Sequence, residues 1–307
     1  MTSEHTTCQA NFQATFQKRW PHLQNVHVRS LAWLLDSPTL LNARHAHWEN
    51  RLAMLPEVSV PVREWLAGLD SEPAALEAFL ALHPHTRLGH YAENLLAFYF
   101  TWCGELVAHS VQVRAHTTIG EFDFLLNTAN GFEHWEFACK FYLFVEPAAQ
   151  LADFVGPNLM DNLRDKSHKI MNVQLALGAH PDSKKYLTTP LSAARALLKG
   201  WLFYHADHVT SLPEVEPGHC RGIWCRLSEL HTIADSPLSV LSRLSWLAPA
   251  MVASGQCISR DRLIQQLAKQ FATDNRPVLV AQLREVGDHF VETERIFVVP
   301  DDWNKAK

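Results

Sequence analysis

Glu121 and Asp123 in the run GEFDFLL, and Glu136 and Lys140 in the run HWEFACKFYL, are residues whose types and spacing point to chemistry. Side chains alternate across a β-strand, so residues two apart share a face. On one strand this sets Glu121 and Asp123 against Phe122, Phe124 and Leu126 on the opposite face. On the next it sets Glu136, Ala138 and Lys140 against Phe137, Cys139 and Phe141. Residues 127–131 (NTANG) tolerate left-handed backbone, which predicts a hairpin that brings the polar faces side by side. Clustered carboxylates raise one another's pKa unless a cation sits among them. A hard divalent cation such as Mg2+ (or Mn2+), bound through carboxylate oxygens and keeping several waters, answers that need. A nearby lysine can then orient or deprotonate an attacking water and stabilise charge developing on phosphate, so the set suits phosphodiester hydrolysis. The competing reading is a surface ion-pair cluster, with Lys140 against Glu136 or Asp123, which contributes little.

The elements that must position these groups follow from periodicity. Residues 1–84 read as a helical N-terminal region, with apolar residues at helical spacing in 26–35, 52–66 and 74–82. Pro38, Pro56, Pro61 and Pro73 punctuate it, and Asp70 or Ser71 is the expected cap of its last helix. From Arg87, LGHYAENLLAFYFTW predicts an apolar helix that ends near Gly104. Glu93 interrupts it. Gly89, Leu96 and Ala97 lie one turn away, so the carboxylate runs along an apolar stripe and either reaches water at its edge or joins the acidic patch.

Strands are expected over 105–113, 118–127 and 134–146, with Pro147 and Gly156-Pro157 closing the extended region. A helix is expected over 158–177, with Leu163, Ile170, Gln174 and Leu177 on one side and Arg164 and His168 on another. After Pro190 the pattern predicts a short helix and then a strand over 199–204. Helix, three strands, helix and strand make an α+β or α/β core over residues 85–210. Residues 211–307 read as a mixed α/β extension packed on that core. It holds a helix over 259–273 capped by Ser259 and strands over 276–283 and 292–300.

Composition limits the function classes. With 47 % hydrophobic and 19 % charged residues in 307, the chain reads as an ordinary globular protein. No apolar run has the length of a membrane span, and MTSEHTTCQANFQATFQKRW has no apolar signal core, so a cytoplasmic protein is expected. Six cysteines without a CxxC pair predict free, mostly buried thiols. His219, Cys220, Cys225 and His231 form only a loose zinc pattern. Trp201, Trp224, Trp246 and Trp303 read as core rather than base-stacking groups. A net charge of −5 argues against generic polyanion binding. Locally, however, Arg164, Lys166, Lys169, Lys184, Lys185, Arg195 and Lys199 face only Asp165 and Asp182 within 162–200. The run is either a solvated helix face or a phosphate-binding groove.

With these residues in place, the sequence resembles the PD-(D/E)XK nuclease superfamily. That resemblance implies a restriction-endonuclease-like αβββαβ core with a glutamate on the first helix, an aspartate on the second strand and a (D/E)xK motif on the third. Glu93, Asp123 and Lys140 match these in order, and GEFDF is close to the GEIDL run of resolvase-like members. The chain also resembles a bacterial family known as domain of unknown function 1853. The resemblance rests on RLGHYAENLLAF, GEFDFLL, HWEFACKFYL, GPNLMDNLRDK with Gln174-Leu175, KGWLF and RLSWLAP, spread over residues 87–249.

One position departs from the superfamily pattern. Ala138 stands where the acid of (D/E)xK belongs, and the nearest acid on that face is Glu136. The implied function is a Mg2+- or Mn2+-dependent nuclease, or nuclease-like protein, acting on DNA or RNA. Asp123 and Glu136 are its expected metal ligands, Glu93 and Glu121 are auxiliary ligands, and Lys140 positions the water. Arg164, Lys166, Lys169 and Gln174 are the expected nucleic-acid contacts. The alternative is a catalytically inactive protein of this fold that binds nucleic acid or a protein partner.

Overall fold

The computed structural model of the chain describes residues 12–48, 50–83, 85–145, 148–205 and 210–305. Its helices are α1 Phe12–Arg19, α2 Val26–Asp36, α3 Val60–Ser71, α4 Ala74–Leu82, α5 Leu88–Cys103, α6 Leu163–Lys169 and α7 Arg260–Phe271. Its strands are β1 Leu106–Arg114, β2 Thr118–Thr128, β3 Gly131–Phe144, β4 Phe154–Val155, β5 Ala193–His205, β6 Cys220–Arg226, β7 Leu238–Val240, β8 Met251–Val252, β9 Val278–Val286 and β10 His289–Val299. The result is a mixed α+β protein. A single sheet runs β1-β2-β3-β5-β6-β10-β9-β7, with β4 added to β3 and β8 to β10. The strands after residue 211 therefore continue the sheet begun by β1–β3, through parallel pairing of β5, β6 and β10.

Side-chain alternation explains how the layers form. Phe137, Phe141 and Leu143 of β3 pack with Leu31 and Trp33 of α2 and Phe100 of α5 on one face. Ala138, Tyr142 and Phe144 pack with Leu163 of α6 and Ile170 on the other. Both faces are covered, which is why β3 reads as an almost unbroken apolar run. Further along, Leu263 and Leu267 of α7 cover Val280, Ile296 and Val298. Trp201, Trp224, Trp246 and Trp303 are all buried, as their core reading requires. Gly200 lets β5 approach β3 closely. Its φ is +148°, and a Cβ there would lie 1.7 Å from the Lys140 carbonyl oxygen.

Several boundaries differ from expectation. The helix foreseen over 52–66 forms instead as α3, entered through Pro61 in its first turn. Neither Asp70 nor Ser71 caps α4, which follows Pro73. Asp70 accepts from the backbone N–H groups of Gln24 and Asn25 instead. The helix foreseen over 158–177 starts only at Leu163, because Asn162 Oδ1 accepts from Asp165 N at 2.8 Å and caps it there. It then continues as a π-turn over Ile170–Gln174 and a 3-10 turn over Leu175–Ala179. The short helix expected after Pro190 is the start of β5, because pairing with β3 from Glu133↔Ala193 onward overrides the helical propensity of AARALL. Glu146 and Pro147, the expected end of the third strand, lie outside the described residues.

Candidate functional site

The site forms where β2 parts from β3. Their ladder runs from Thr128↔Gly131 to Phe124↔Trp135. At the next residue of β2 the neighbouring β1 keeps its register, His109 with Phe124 and Val111 with Phe122, but Ser110 between them has φ +52°. This break reverses the expected alternation. Phe124 and Leu126 stay in the α5-side core, whereas Phe122 turns to the opposite face, against Val113, Leu125, Phe132 and Leu177. Phe122, Phe124 and Leu126 therefore do not share a face. The same break leaves Asp123 between strands, where its Oδ2 accepts from Phe137 N at 2.8 Å in place of a ladder bond.

Around Asp123 the carboxylates converge. One oxygen each from Glu93, Glu121 and Asp123 lie within 4.8 Å of one another. Glu93 comes from α5, and its side chain, 12 % exposed, lines the cleft beside the other two carboxylates. His109 Nε2 at 3.0 Å and Ser110 Oγ at 2.9 Å hold its Oε1, two partners the sequence did not single out.

Glu136, the other expected metal ligand, is outside that group of three. Its Oε1 meets His134 Nε2 at 2.8 Å and its Oε2 accepts from Gln174 Nε2, while it also shares a hydrogen bond with Asp123. Gln174 reaches Glu136 from the end of the π-turn, and its own Oε1 is buried without a partner.

Electrostatics mark the cluster as short of positive charge. Burial, then Glu136, Glu93 and Glu121, push the Asp123 carboxyl well above the ordinary carboxylate range, against the opposing pull of the Phe137 N–H. Burial likewise pushes Glu136 up to about 7, with Lys166 and the bond to Asp123 pulling it down. Lys166 of α6 is the lysine whose charge acts on both acids. Burial lowers its pKa first, Lys140 and Lys169 act in the same direction, and Asp123 and Glu136 oppose them. Lys140 is engaged elsewhere. Its Nζ donates to Asp161 Oδ2 at 2.7 Å, and the Tyr142 hydroxyl donates to the same oxygen at 3.1 Å. An all-oxygen set of mutually repelling carboxylates fits a hard divalent cation such as Mg2+ or Mn2+.

A cleft of about 960 Å³ opens on this cluster. It is lined by Glu93, Asp123, Ala138, Lys140, Lys166 and Gln174, and across from them by C-terminal residues including Arg243 and Arg276. Of the expected nucleic-acid contacts, Lys166 and Gln174 line it, while Arg164 and Lys169 do not, and Arg164 pairs with Asp165 at 3.1 Å. The basic run over 162–200 is dispersed by the fold. Lys199 is buried against the Ser37 carbonyl, Arg195 pairs with Glu133, and Lys185 donates to the Arg114 carbonyl.

The loose zinc pattern does not assemble either. Cys220 belongs to one face of β6 and Cys225 to the other, while His219 bonds Tyr204 and Glu216 and His231 bonds Ser228. Both cysteines are free and buried.

The model of a domain of unknown function, DUF1853, matches residues 29–299, from within α2 to the end of β10. The chain belongs to the DUF1853 family. No curated protein and no solved structure matches it. The candidate site of this DUF1853 protein, from Glu93 to Arg276, lies wholly within the matched span. No helix among its described residues is long and apolar enough to cross a membrane.

Proposed function

We propose that this DUF1853 protein is a divalent-metal-dependent nuclease that hydrolyses phosphodiester bonds in DNA or RNA on a PD-(D/E)XK-like core. The observation that carries the reading is the convergence of Glu93, Glu121 and Asp123 at the parting of β2 and β3, where Glu93 and Asp123 line the cleft. Supporting it, α5, β1, β2, β3, α6 and β5 follow in the αβββαβ order, with only the two-residue β4 added between β3 and α6.

In this reading Glu93, Glu121 and Asp123 hold Mg2+ or Mn2+, which supplies a Lewis acid and a bound water of lowered pKa. His109 and Ser110 orient Glu93, and the Phe137 N–H fixes Asp123. Glu136 restrains Asp123 through their shared hydrogen bond and is itself held by Gln174. Lys166 balances charge beside Asp123 and Glu136, and Lys140 serves the attacking water once released from Asp161. Ala138 is packed with Leu163 and Met171 in an apolar cluster, so Glu121 takes the place of the missing third-strand acid.

The Lys140–Asp161 pair favours a second reading, an inactive nuclease-fold protein that binds nucleic acid or a protein partner. A cleavage panel with Mg2+ or Mn2+ over single-stranded, duplex and branched DNA and RNA separates the two. The nuclease reading expects cleavage that Asp123→Ala and Lys140→Ala each abolish while circular dichroism stays native. Cleavage surviving both substitutions at the wild-type rate refutes the site. Metal-independent, salt-sensitive binding without cleavage selects the inactive reading.

A further inference from the structure

Two runs singled out in the sequence, RLGHYAENLLAF and RLSWLAP, each open with an arginine that the acidic cluster leaves without a role. Both arginines, Arg87 before α5 and Arg243 in the segment 243–245, line the cleft. Three other cations line it as well. Lys140 is paired with Asp161, Arg276 is paired with Asp274, and Lys166 faces the carboxylates. Arg87 and Arg243 make no ion pair among the described residues, and both are exposed.

Arg243 stands on a segment fixed by several hydrogen bonds to buried side chains. Its guanidinium lies 5.1 Å from the Trp246 ring, and Trp246 Nε1 donates to the Leu241 carbonyl at 3.2 Å. The residues that follow are gripped from below by buried groups. Arg295 donates to the carbonyls of Trp246, Leu247 and Ala248, Arg29 to that of Pro249, and Trp201 Nε1 to that of Leu247. The α5 helix packs on the same segment, so both arginines are set on one framework.

We infer that Arg87 and Arg243 grip the phosphates of a single nucleic-acid strand lying in the cleft, beside the carboxylate cluster. This rests on the nuclease-fold reading above. The cluster attracts cations only, and the two unpaired arginines supply the anion-binding half of a site for a phosphodiester bound to a metal. The cleft volume of about 960 Å³ is at the upper end of roughly 300–1,000 Å³ for sites that enclose one small molecule. It admits a short stretch of one strand, whereas a duplex meets only its rim. Met160, 83 % exposed and also lining the cleft, offers an unstacked base an apolar contact.

The test measures fluorescence anisotropy of a labelled oligothymidylate with Ca2+ across a salt series, using the full chain, Arg87→Glu and Arg243→Glu. Mn2+ binding by electron paramagnetic resonance is read on matched samples without Ca2+. Each substitution is expected to weaken strand binding about tenfold and to lower the slope of log K against log salt by about 0.7 per cation removed. Mn2+ binding should be unchanged. Strand affinity and slope equal to wild type in both variants overturn the inference, as does duplex bound as tightly as single strand. Loss of Mn2+ binding in the wild type instead overturns the metal reading, and the anisotropy arms still decide the arginines.

Discussion

Oδ2 of Asp123 accepts the backbone N–H of Phe137 at 2.8 Å, immediately beyond Phe124↔Trp135, the last rung between β2 and β3. A side chain thus satisfies a backbone donor that the ladder has released. An oxygen of the same carboxylate lies within 4.8 Å of oxygens of Glu93 and Glu121, so the split between the strands also gathers the acidic cluster.

This dual role separates two substitutions. Asp123→Asn keeps an acceptor for the Phe137 N–H and removes a charge crowded by Glu136, Glu93 and Glu121. Asp123→Ala removes both. In metal-free buffer at pH 8, Asp123→Asn is expected to be more stable to urea than wild type. Asp123→Ala should fall about 1 kcal/mol below Asp123→Asn for the lost hydrogen bond. Asp123→Asn less stable than Asp123→Ala contradicts this relationship.

The contribution of Glu136 to stability without metal should fall as pH rises. Burial lifts Glu136 from 4.5 to about 7, so the folded state holds a proton that the unfolded state releases between these values. More protons bound in the folded state make the slope of unfolding free energy against pH negative. The Glu136 contribution, fully present below about pH 4.5, is therefore lost progressively up to about pH 7, by at most roughly 3 kcal/mol. The raised Asp123 carboxyl acts in the same direction. Saturating Mn2+ should flatten the profile, because a bound cation favours the charged carboxylates. Burial lowers His134 and His219 to about 4, which acts in the opposite direction over this window, so the measurement is the difference between wild type and Glu136→Gln in EDTA. A variant whose profile matches that of the wild type contradicts the crowded acidic cluster.

The segment carrying Arg243 depends on a buried pair. Arg295 and Glu292 are both sealed from solvent and meet at 2.8 Å, with Glu292 also accepting from Ala250 N. Glu292→Ala leaves the Arg295 charge buried without its partner, a loss of about 3–5 kcal/mol. Chemical denaturation should show that loss, whereas Arg243→Ala, at an exposed position, should change stability by less than about 0.5 kcal/mol. Equal effects from the two substitutions contradict the assigned roles.

Much of the core was legible because strong periodicity and caps speak locally. The helix at Gly104 ends with that residue at φ 73°, β1 and β2 fall within one residue of expectation, and β3 begins three residues earlier than expected, at Gly131. Glu93, Glu121 and Asp123 were legible as members of a larger acidic set in which Asp123 and Glu136 were the expected principal ligands. What could not be read was the exception to alternation, because the break at Ser110 and Asp123 depends on how three strands meet. That break moved Phe122 to the other face and left Glu136 outside the group of three. Asp161, which holds Lys140, sits in a loop with no periodic signal. The dispersal of Arg195 and Lys199 was hidden because AARALL resembles a helix until β3 claims it as a strand.

The central claim is that Glu93, Glu121 and Asp123 hold one divalent cation. Titration of metal-free protein with Mn2+ at pH 7.5, followed calorimetrically, tests it most directly. The account predicts one equivalent bound by the wild type and none by Asp123→Ala or by Glu93→Gln with Glu121→Gln, all three remaining folded. Binding of equal strength and stoichiometry in Asp123→Ala, or no binding by the folded wild type, contradicts it.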